Sequence, residues 1–178
     1  MAKVKTPRWA WALTGHFFKE CLRTLRELDD VDLFVSEAAT EVVRMYRQEF
    51  KLPPATRLFR DTTASAAPVG LFYYGTYHTL ILTPATSNTA KCVAGISDTL
   101  VTNVFAQAGK CRLPAIVFAC DTAPELGTEA PKGMVKVYPR EIDLKNTERL
   151  KSLESTVVVE SLEDLRTALG RRRHELHG

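Results

Sequence analysis

Short apolar segments alternate with helix-like segments along almost the whole chain of 178 residues. The mainly apolar runs are residues 9–13, 31–35, 79–82, 114–119, 134–138 and 157–159. Between them, apolar residues recur every three or four positions, which is the period of an amphipathic helix. The helix-like segments are residues 18–28, 37–46, 88–108, 146–153 and 161–169. Because buried strands alternating with helices are typical of a parallel sheet covered on both faces, we predict an α/β fold with a doubly wound, mostly parallel sheet.

The chain has the length and composition of one globular domain. Its residues are 45% hydrophobic and 25% charged, a balance that excludes disorder throughout. A stretch of small residues at 62–70 is too short to separate two cores. We therefore expect a single domain over residues 1–178, with flexible tails at residues 1–8 and 170–178.

Charge and hydropathy argue against several kinds of partner. The 24 basic and 21 acidic side chains give a net charge of +3, and the run Arg171, Arg172 and Arg173 accounts for that excess. A neutral body lacks the basic face that nucleic acids need. The longest uncharged stretch, residues 62–90, contains two prolines and two glycines, and the apolar run at 9–13 is too short for a secretion signal. We expect a cytoplasmic protein with neither nucleic acid nor membrane as its partner.

The cysteines give no sign of a metal site or a disulfide framework. There are four of them, Cys21, Cys92, Cys111 and Cys120, without a CxxC pair or a zinc-binding spacing. Isolated cysteines in an intracellular chain are usually small buried apolar residues. We therefore predict neither bound metal nor disulfides.

Three turns at the ends of predicted strands carry residues suited to phosphate binding. In a parallel sheet, the carboxyl ends of the strands share one edge with helix N-termini, which present free N–H groups. The first two turns, Thr14-Gly15-His16 and the one at Ser36, also fit a left-handed turn and a helix cap. The third turn, at residues 84–89, holds more hydroxyl and amide side chains than capping requires, and therefore favours a ligand site.

The third turn and its surroundings resemble a known family. Residues 84–89, PATSNT, are similar to the PASANT motif of the homo-oligomeric flavin-containing cysteine decarboxylase superfamily. The following Ala90-Lys91 and GISDTL at 95–100 are similar to its AK and GIADNLL continuation. WALTGH at 11–16 resembles the superfamily's WAxTGxGH start, with a first loop two residues shorter. The pattern at 131–150 resembles one branch of the superfamily, the archaeal-type flavoproteins and dihydromethanopterin reductases.

This resemblance implies a Rossmann-like (flavodoxin-like) fold, an FMN cofactor and a homo-oligomer, either a trimer or a dodecamer. It implies reduction of a pterin, dihydromethanopterin, to tetrahydromethanopterin in one-carbon metabolism, with electrons from NAD(P)H or a redox protein. It places Thr14, Gly15 and His16 on the first flavin-phosphate loop and Ser36 at the end of the second strand. The residues that it places along the isoalloxazine and phosphate are Pro84, Ala85, Thr86, Ser87 and Asn88.

Other functions remain open at this point. An FMN-binding electron-transfer protein without a small substrate would have much the same sequence. A flavin-dependent cysteine decarboxylase is disfavoured, because residues 118–124 replace its PxMNxxMW-like clamp and His78 lies too close to its strand to match the expected histidine. The flavin prenyltransferase branch has a different loop in place of PATSNT. His78, Lys91 and Asp121 also fit ordinary structural or surface roles, so we assign no catalytic residue.

Overall fold

A computed structural model describes residues 7–14, 18–45, 52–61, 66–130 and 132–178. Its strands are β1 (Arg8–Leu13), β2 (Val31–Val35), β3 (Arg57–Arg60), β4 (Tyr77–Ala85), β5 (Ala115–Ala119), β6 (Leu126–Ala130), β7 (Gly133–Val137) and β8 (Thr156–Val159). Six of them form one sheet in the order β3-β2-β1-β4-β5-β8, and every neighbouring pair is parallel. The predicted α/β class and mostly parallel sheet are confirmed.

Helices cover both faces of this sheet. They are α1 (Phe18–Leu25), α2 (Glu37–Met45), α3 (Ala66–Gly70), α4 (Ser87–Ala90), α5 (Leu100–Lys110), α6 (Glu141–Leu150) and α7 (Leu162–His177). Because successive strand residues point to opposite faces, the apolar side chains form two cores. Trp11 and Leu33 pack with α1, α2 and α7, whereas Ala12 and Phe34 pack with α4, α5 and α6. This double covering explains why the central strands are apolar on both faces.

The direction of winding reverses between β1 and β4. The chain first winds outward from β1 through β2 to β3, and then returns to the other side of β1 to build β4, β5 and β8. Trp11 in β1 lies opposite Leu33 of β2 and opposite Ile81 of β4. In doubly wound sheets, ligands bind at the carboxyl edge beside such a reversal.

The helix predicted over residues 88–108 is broken in the structure. The short α4 continues into a 3₁₀ turn, Lys91–Ala94, and Gly95 then adopts a left-handed conformation with φ of 79°. A new N-cap follows, because the Thr99 hydroxyl accepts a hydrogen bond from the Thr102 amide at 3.2 Å and α5 begins at Leu100. The two segments pack on the same core, which explains why their apolar spacing suggested one helix.

The strand predicted at residues 134–138 exists, but it lies outside the parallel sheet. It is β7, which pairs antiparallel with β6 in a separate two-stranded ribbon. Met134 and Val135 in β7 are exposed, with 69% and 45% of their surface open to solvent. Apolar composition therefore identified a strand here without identifying its partner.

The C-terminal segment 170–178, expected as a flexible tail, continues helix α7 to His177. The Arg172 guanidinium holds this end on β4, where it donates to the Thr79 hydroxyl at 2.9 Å and to the His78 carbonyl at 3.1 Å. At the other end, residues 1–6 lie outside the described residues, and β1 begins at Arg8. None of the helices in the described part is long and apolar enough to cross a membrane.

Candidate functional site

The carboxyl ends of β1, β2 and β4 bring together three of the polar positions predicted from sequence. Thr14 follows β1, Ser36 follows β2 and Thr86 follows β4. Backbone hydrogen bonds continue beyond the strands at this edge, because the Thr14 amide donates to the Thr83 carbonyl at 3.0 Å and the Ser36 amide donates to the Leu13 carbonyl at 3.2 Å. The sheet therefore places these turns side by side at the winding reversal. Gly15 and His16 lie outside the described residues.

The turn at residues 84–88 joins the last residues of β4 to the start of α4. Pro84 and Ala85 are buried in the strand, and the peptide between Thr83 and Pro84 is cis. Thr86 is the N-cap with extended backbone angles, and its carbonyl accepts hydrogen bonds from the Thr89 and Ala90 amides, both at 2.8 Å. The first amides of a helix have no acceptor within the helix, so Ser87 and Asn88 present their N–H groups at this edge.

The Thr86 and Ser87 hydroxyls are half-buried at the turn and are not used for capping. Thr86 makes no side-chain capping bond to α4, although it occupies the N-cap position. Within the described part of the chain, neither hydroxyl has a hydrogen-bond partner. A hydroxyl that is free in this way can donate its proton to a bound anion.

Ser36 combines a structural bond with an open donor. Its hydroxyl oxygen accepts a hydrogen bond from the Ala39 amide at 3.1 Å, which confirms the predicted N-cap of α2. That bond uses a lone pair and leaves the hydroxyl proton, which has no acceptor among residues 7–14, 18–45, 52–61, 66–130 and 132–178. Ser36 can therefore cap its helix and donate to a ligand at the same time.

Thr14 differs from Ser36, because its side chain is buried and its hydroxyl is already bonded. Only 4% of Thr14 is exposed, and its hydroxyl donates to the Pro84 carbonyl. Its amide donates to Thr83, as described above. The structure therefore places Thr14 beneath the turn at 84–88, in contact with that turn.

A buried polar group that sequence reasoning missed supports the same turn. The Trp11 indole N–H donates to the Thr83 hydroxyl, and both side chains are fully buried. Cys21 is hydrogen-bonded to the same hydroxyl, and burial raises the pKa of its thiol to about 12, so the thiol stays protonated. The available sequence signals were a tryptophan in a buried strand, which needs an acceptor for its N–H, and a threonine in an otherwise apolar run.

A cavity of about 320 Å³ adjoins this edge beyond β5. It is lined by residues that directly follow β5 and β8 and by the facing side of α6, including Asp121, Thr122, Thr147, Lys151 and Glu160. Lys151 pairs with Glu160 at 2.9 Å and with Glu148 at 3.0 Å across its wall. The carboxyl edge thus has a cavity beyond β5 whose described lining does not include residues 84–88.

The chemistry of this edge fits the phosphate group of FMN. Ser36, Thr86 and Ser87 offer hydroxyl protons, the first amides of α4 add N–H donors, and residues 84–88 contain no carboxylate that would repel an anion. Among the described residues, there is no group of three or more His, Cys, Asp or Glu side chains that could hold a metal ion. The arrangement can therefore bind a phosphorylated ligand through neutral donors.

Comparison with known proteins gives a consistent family. The family model described as Flavoprotein matches residues 2–171. A crystal structure of DmrB from Burkholderia xenovorans, determined in complex with FMN and described as a cubic protein cage for redox transfer, is 45% identical in sequence. It superposes with a TM-score of 0.83, and the match covers 97% of this chain and 98% of that chain.

Two archaeal relatives are also similar in sequence. Dihydromethanopterin reductase (acceptor) from Methanosarcina mazei is 38% identical over 141 residues, which are 70% of this chain and 59% of that protein. The chain therefore spans about 59% of the length of that relative. An uncharacterized protein from Methanocaldococcus jannaschii is 34% identical over 168 residues, which cover 88% of this chain and 90% of that one.

Proposed function

This chain belongs to the Flavoprotein family, and on that premise we propose that it is an FMN-dependent oxidoreductase that reduces a pterin. The observation that carries the proposal is the turn at residues 84–88. It lies where the winding of the sheet reverses, and at the carboxyl edge it presents hydroxyl and amide donors that have no acceptor among the described residues. The 45% identical DmrB, which binds FMN, supports the cofactor.

The FMN phosphate would be held by neutral hydrogen-bond donors. Ser36 and Ser87 would donate through their hydroxyls, and the amides at the start of α4 would add donors and the positive end of a short helix. Gly15 and His16 remain predicted members of the phosphate loop. Hydrogen bonds from neutral donors to a charged phosphate oxygen are shorter and stronger than those between neutral groups, so a few suffice for tight binding.

The remaining residues of the turn would position the flavin ring. Pro84, Ala85, Thr86 and Asn88 stay the residues predicted to lie along the isoalloxazine. FMN, when bound, supplies hydride transfer, which protein side chains cannot perform themselves. The chain's own contribution would be to orient the ring through the turn at 84–88.

The proposed substrate is dihydromethanopterin, reduced to tetrahydromethanopterin in one-carbon metabolism. It is supported by the 38% identity to a dihydromethanopterin reductase over 70% of this chain. NAD(P)H or a redox protein would supply the electrons. We also propose a homo-oligomer, a trimer or a dodecamer, consistent with the cage formed by DmrB.

The test is an anaerobic absorbance titration of the purified protein. We expect an oxidised-flavin spectrum that bleaches with NADPH, or with dithionite if the donor is a protein, and returns after dihydromethanopterin is added. Dihydrofolate in a parallel cuvette tests selectivity between pterins. A colourless protein that does not take up FMN would contradict the cofactor. A reduced flavin that is reoxidised by neither pterin would contradict the substrate and favour an electron carrier.

A further inference from the structure

Residues 83 and 84 of β4 are held by buried hydrogen bonds from the end of the neighbouring strand β1 and from Thr14, which follows it. Thr14 donates twice to this segment, through its amide to the Thr83 carbonyl and through its hydroxyl to the Pro84 carbonyl. Trp11 donates once, from its indole N–H to the Thr83 hydroxyl. Trp11 and Thr83 have no exposed surface, and Thr14 has 4%. β1 therefore fixes the end of β4 on both sides of the Thr83–Pro84 peptide.

The hydrogen-bond inventory of Thr14 decides what this residue can do for a ligand. A threonine has two donors, its amide N–H and its hydroxyl proton, and the oxygen atoms that remain only accept. Both donors of Thr14 are directed at β4. An ionised phosphate also only accepts hydrogen bonds, so Thr14 has no donor left for it. Ser36 differs, because its hydroxyl accepts from Ala39 and keeps its proton.

We propose that Thr14 is a positioning residue for the flavin turn at 84–88, and that it is not a ligand of the flavin phosphate. The inference rests on the proposed function, since it concerns how that function's binding turn is held. Thr14 fixes the Pro84 carbonyl immediately before the residues that present their donors. A turn that is fixed before the ligand arrives loses less conformational entropy on binding, and therefore binds more tightly.

The experiment compares FMN with riboflavin, which has the same ring and lacks the phosphate. Thr14→Val keeps the shape of the side chain and removes the hydroxyl, whereas Thr14→Ser keeps the hydroxyl. We expect Thr14→Val to raise the dissociation constants for FMN and riboflavin by a similar factor of about ten, as for the loss of one buried hydrogen bond. Thr14→Ser should bind both flavins like the wild type. Fluorescence quenching gives both dissociation constants.

Thr24→Val is the matched control. Thr24 is also buried, and its hydroxyl also donates to a backbone carbonyl, that of Glu20 at 3.2 Å, but within α1 and away from the turn. Its substitution should leave both flavin affinities unchanged. If Thr14→Val lowers the affinity for FMN and leaves that for riboflavin unchanged, Thr14 contacts the phosphate and the inference is overturned. Unchanged affinity for both flavins in Thr14→Val would overturn it as well.

A readout without flavin separates this inference from the proposed function. In the flavin-free protein, hydrogen exchange of the Thr89 and Ala90 amides, which bond to the Thr86 carbonyl, should accelerate in Thr14→Val and not in Thr14→Ser or Thr24→Val. If the wild type binds no flavin, the proposed function fails, and exchange still tests the positioning role. Equal exchange at these amides in wild type and Thr14→Val would contradict that role.

Discussion

The two edges of the parallel sheet differ in whether their polar groups have hydrogen-bond partners within the protein. At the amino edge, the fully buried Asp32 carboxylate in β2 accepts from Arg8 Nε at 3.1 Å, from Arg57 Nε at 3.0 Å and from the Tyr77 hydroxyl at 3.0 Å. At the carboxyl edge, Ser36 keeps a hydroxyl proton without an acceptor among the described residues. One edge satisfies its polar groups internally, and the other leaves donors for a ligand.

Cavity size alone would have pointed to the edge opposite the proposed site. A cavity of about 540 Å³ opens at the amino edge, with a lining that includes Trp9, Asp30, His78 and Arg173. Much of that lining is already engaged: Asp30 pairs with Arg8 at 3.2 Å, and the His78 and Trp9 rings meet edge to face at 4.6 Å. Unused hydrogen-bond donors and cavity volume therefore point to different edges, and the proposed site rests on the donors.

The protonation states of Tyr77 and Arg57 keep the hydrogen bonds to Asp32 at the amino edge intact. Burial, followed by the adjacent Asp32 carboxylate, raises the pKa of Tyr77 far above its ordinary value, so the phenol remains a donor. Arg57 donates to the same carboxylate oxygen, Oδ2, and its pKa is raised chiefly by its hydrogen bond to Asp32. Arg57 thus stays charged and Tyr77 stays protonated, so both continue to donate to Asp32. The three side chains act as one structural unit.

The largest effect should come from breaking the amino edge at its centre. Asp32→Ala leaves two guanidinium groups and a buried phenol without their acceptor, which should lower the free energy of unfolding by about 3–5 kcal/mol. Urea denaturation of the flavin-free protein measures this change. Asp98→Ala is the control, because Asp98 is exposed and, within the described part of the chain, forms an ion pair with Lys91 alone, so its unfolding curve should match the wild type. Equal unfolding midpoints for Asp32→Ala and wild type would refute the cluster's role.

At the carboxyl edge, two substitutions of Ser36 should separate capping from ligand binding. Ser36→Ala removes both functions, so it should cost about 1 kcal/mol of stability and weaken FMN binding about 10–100-fold. Ser36→Asp keeps a capping oxygen for the Ala39 amide but places a negative charge beside the proposed phosphate. It should fold as stably as the wild type and bind FMN more weakly than Ser36→Ala. Affinity that tracks stability across the two variants would contradict direct contact.

The smallest effect should be a pH dependence at the amino edge. Burial first, and then the positive Arg172 and His177, lower the pKa of His78 from 6.5 to about 4. The unfolded chain therefore binds the extra proton between these values, and stability should be full above pH 6.5 and fall as the pH drops towards 4. Because His78 is only partly buried, we expect a loss on the order of 1 kcal/mol.

His78→Gln is the test of this assignment. It removes the titrating group, so its denaturation midpoint should depend less on pH than that of the wild type across this interval. A pH dependence that is identical in the two proteins would assign the effect to other groups.

The sequence predicted those parts of the molecule that depend on local pattern. Five of the six strands of the main sheet, the N-cap at Ser36 and the edge on which a site should form follow from periodicity and capping chemistry. The break at Gly95 was hidden, because the apolar spacing continues across it. The antiparallel pairing of β6 with β7 was also missed, since apolar composition does not specify a partner strand.

The long-range contacts at both edges of the sheet could not be predicted from local pattern. The Trp11–Thr83 bond joins residues 72 positions apart, and the Tyr77–Asp32 bond joins residues 45 positions apart. The resemblance placed Thr14 on the phosphate loop, but only its hydrogen bond to Pro84 reveals that its donor is engaged elsewhere. The acceptor that a hydrogen-bond donor finds depends on its neighbours in three dimensions, which a sequence motif does not specify. The assignments of the flavin-contacting residues remain predictions.

The distance along the chain between Thr14 and Pro84 also bears on the order in which the protein assembles. These residues are 70 positions apart, so their bond forms only after the intervening β2 and β3 have folded or been looped out. Contacts of such long range are slow to form, because the entropy of closing the loop is lost before the contact stabilises anything. A nascent chain thus acquires its binding turn only once β4 has docked on β1. Uptake of flavin would therefore report the docking of β4 on β1 during synthesis.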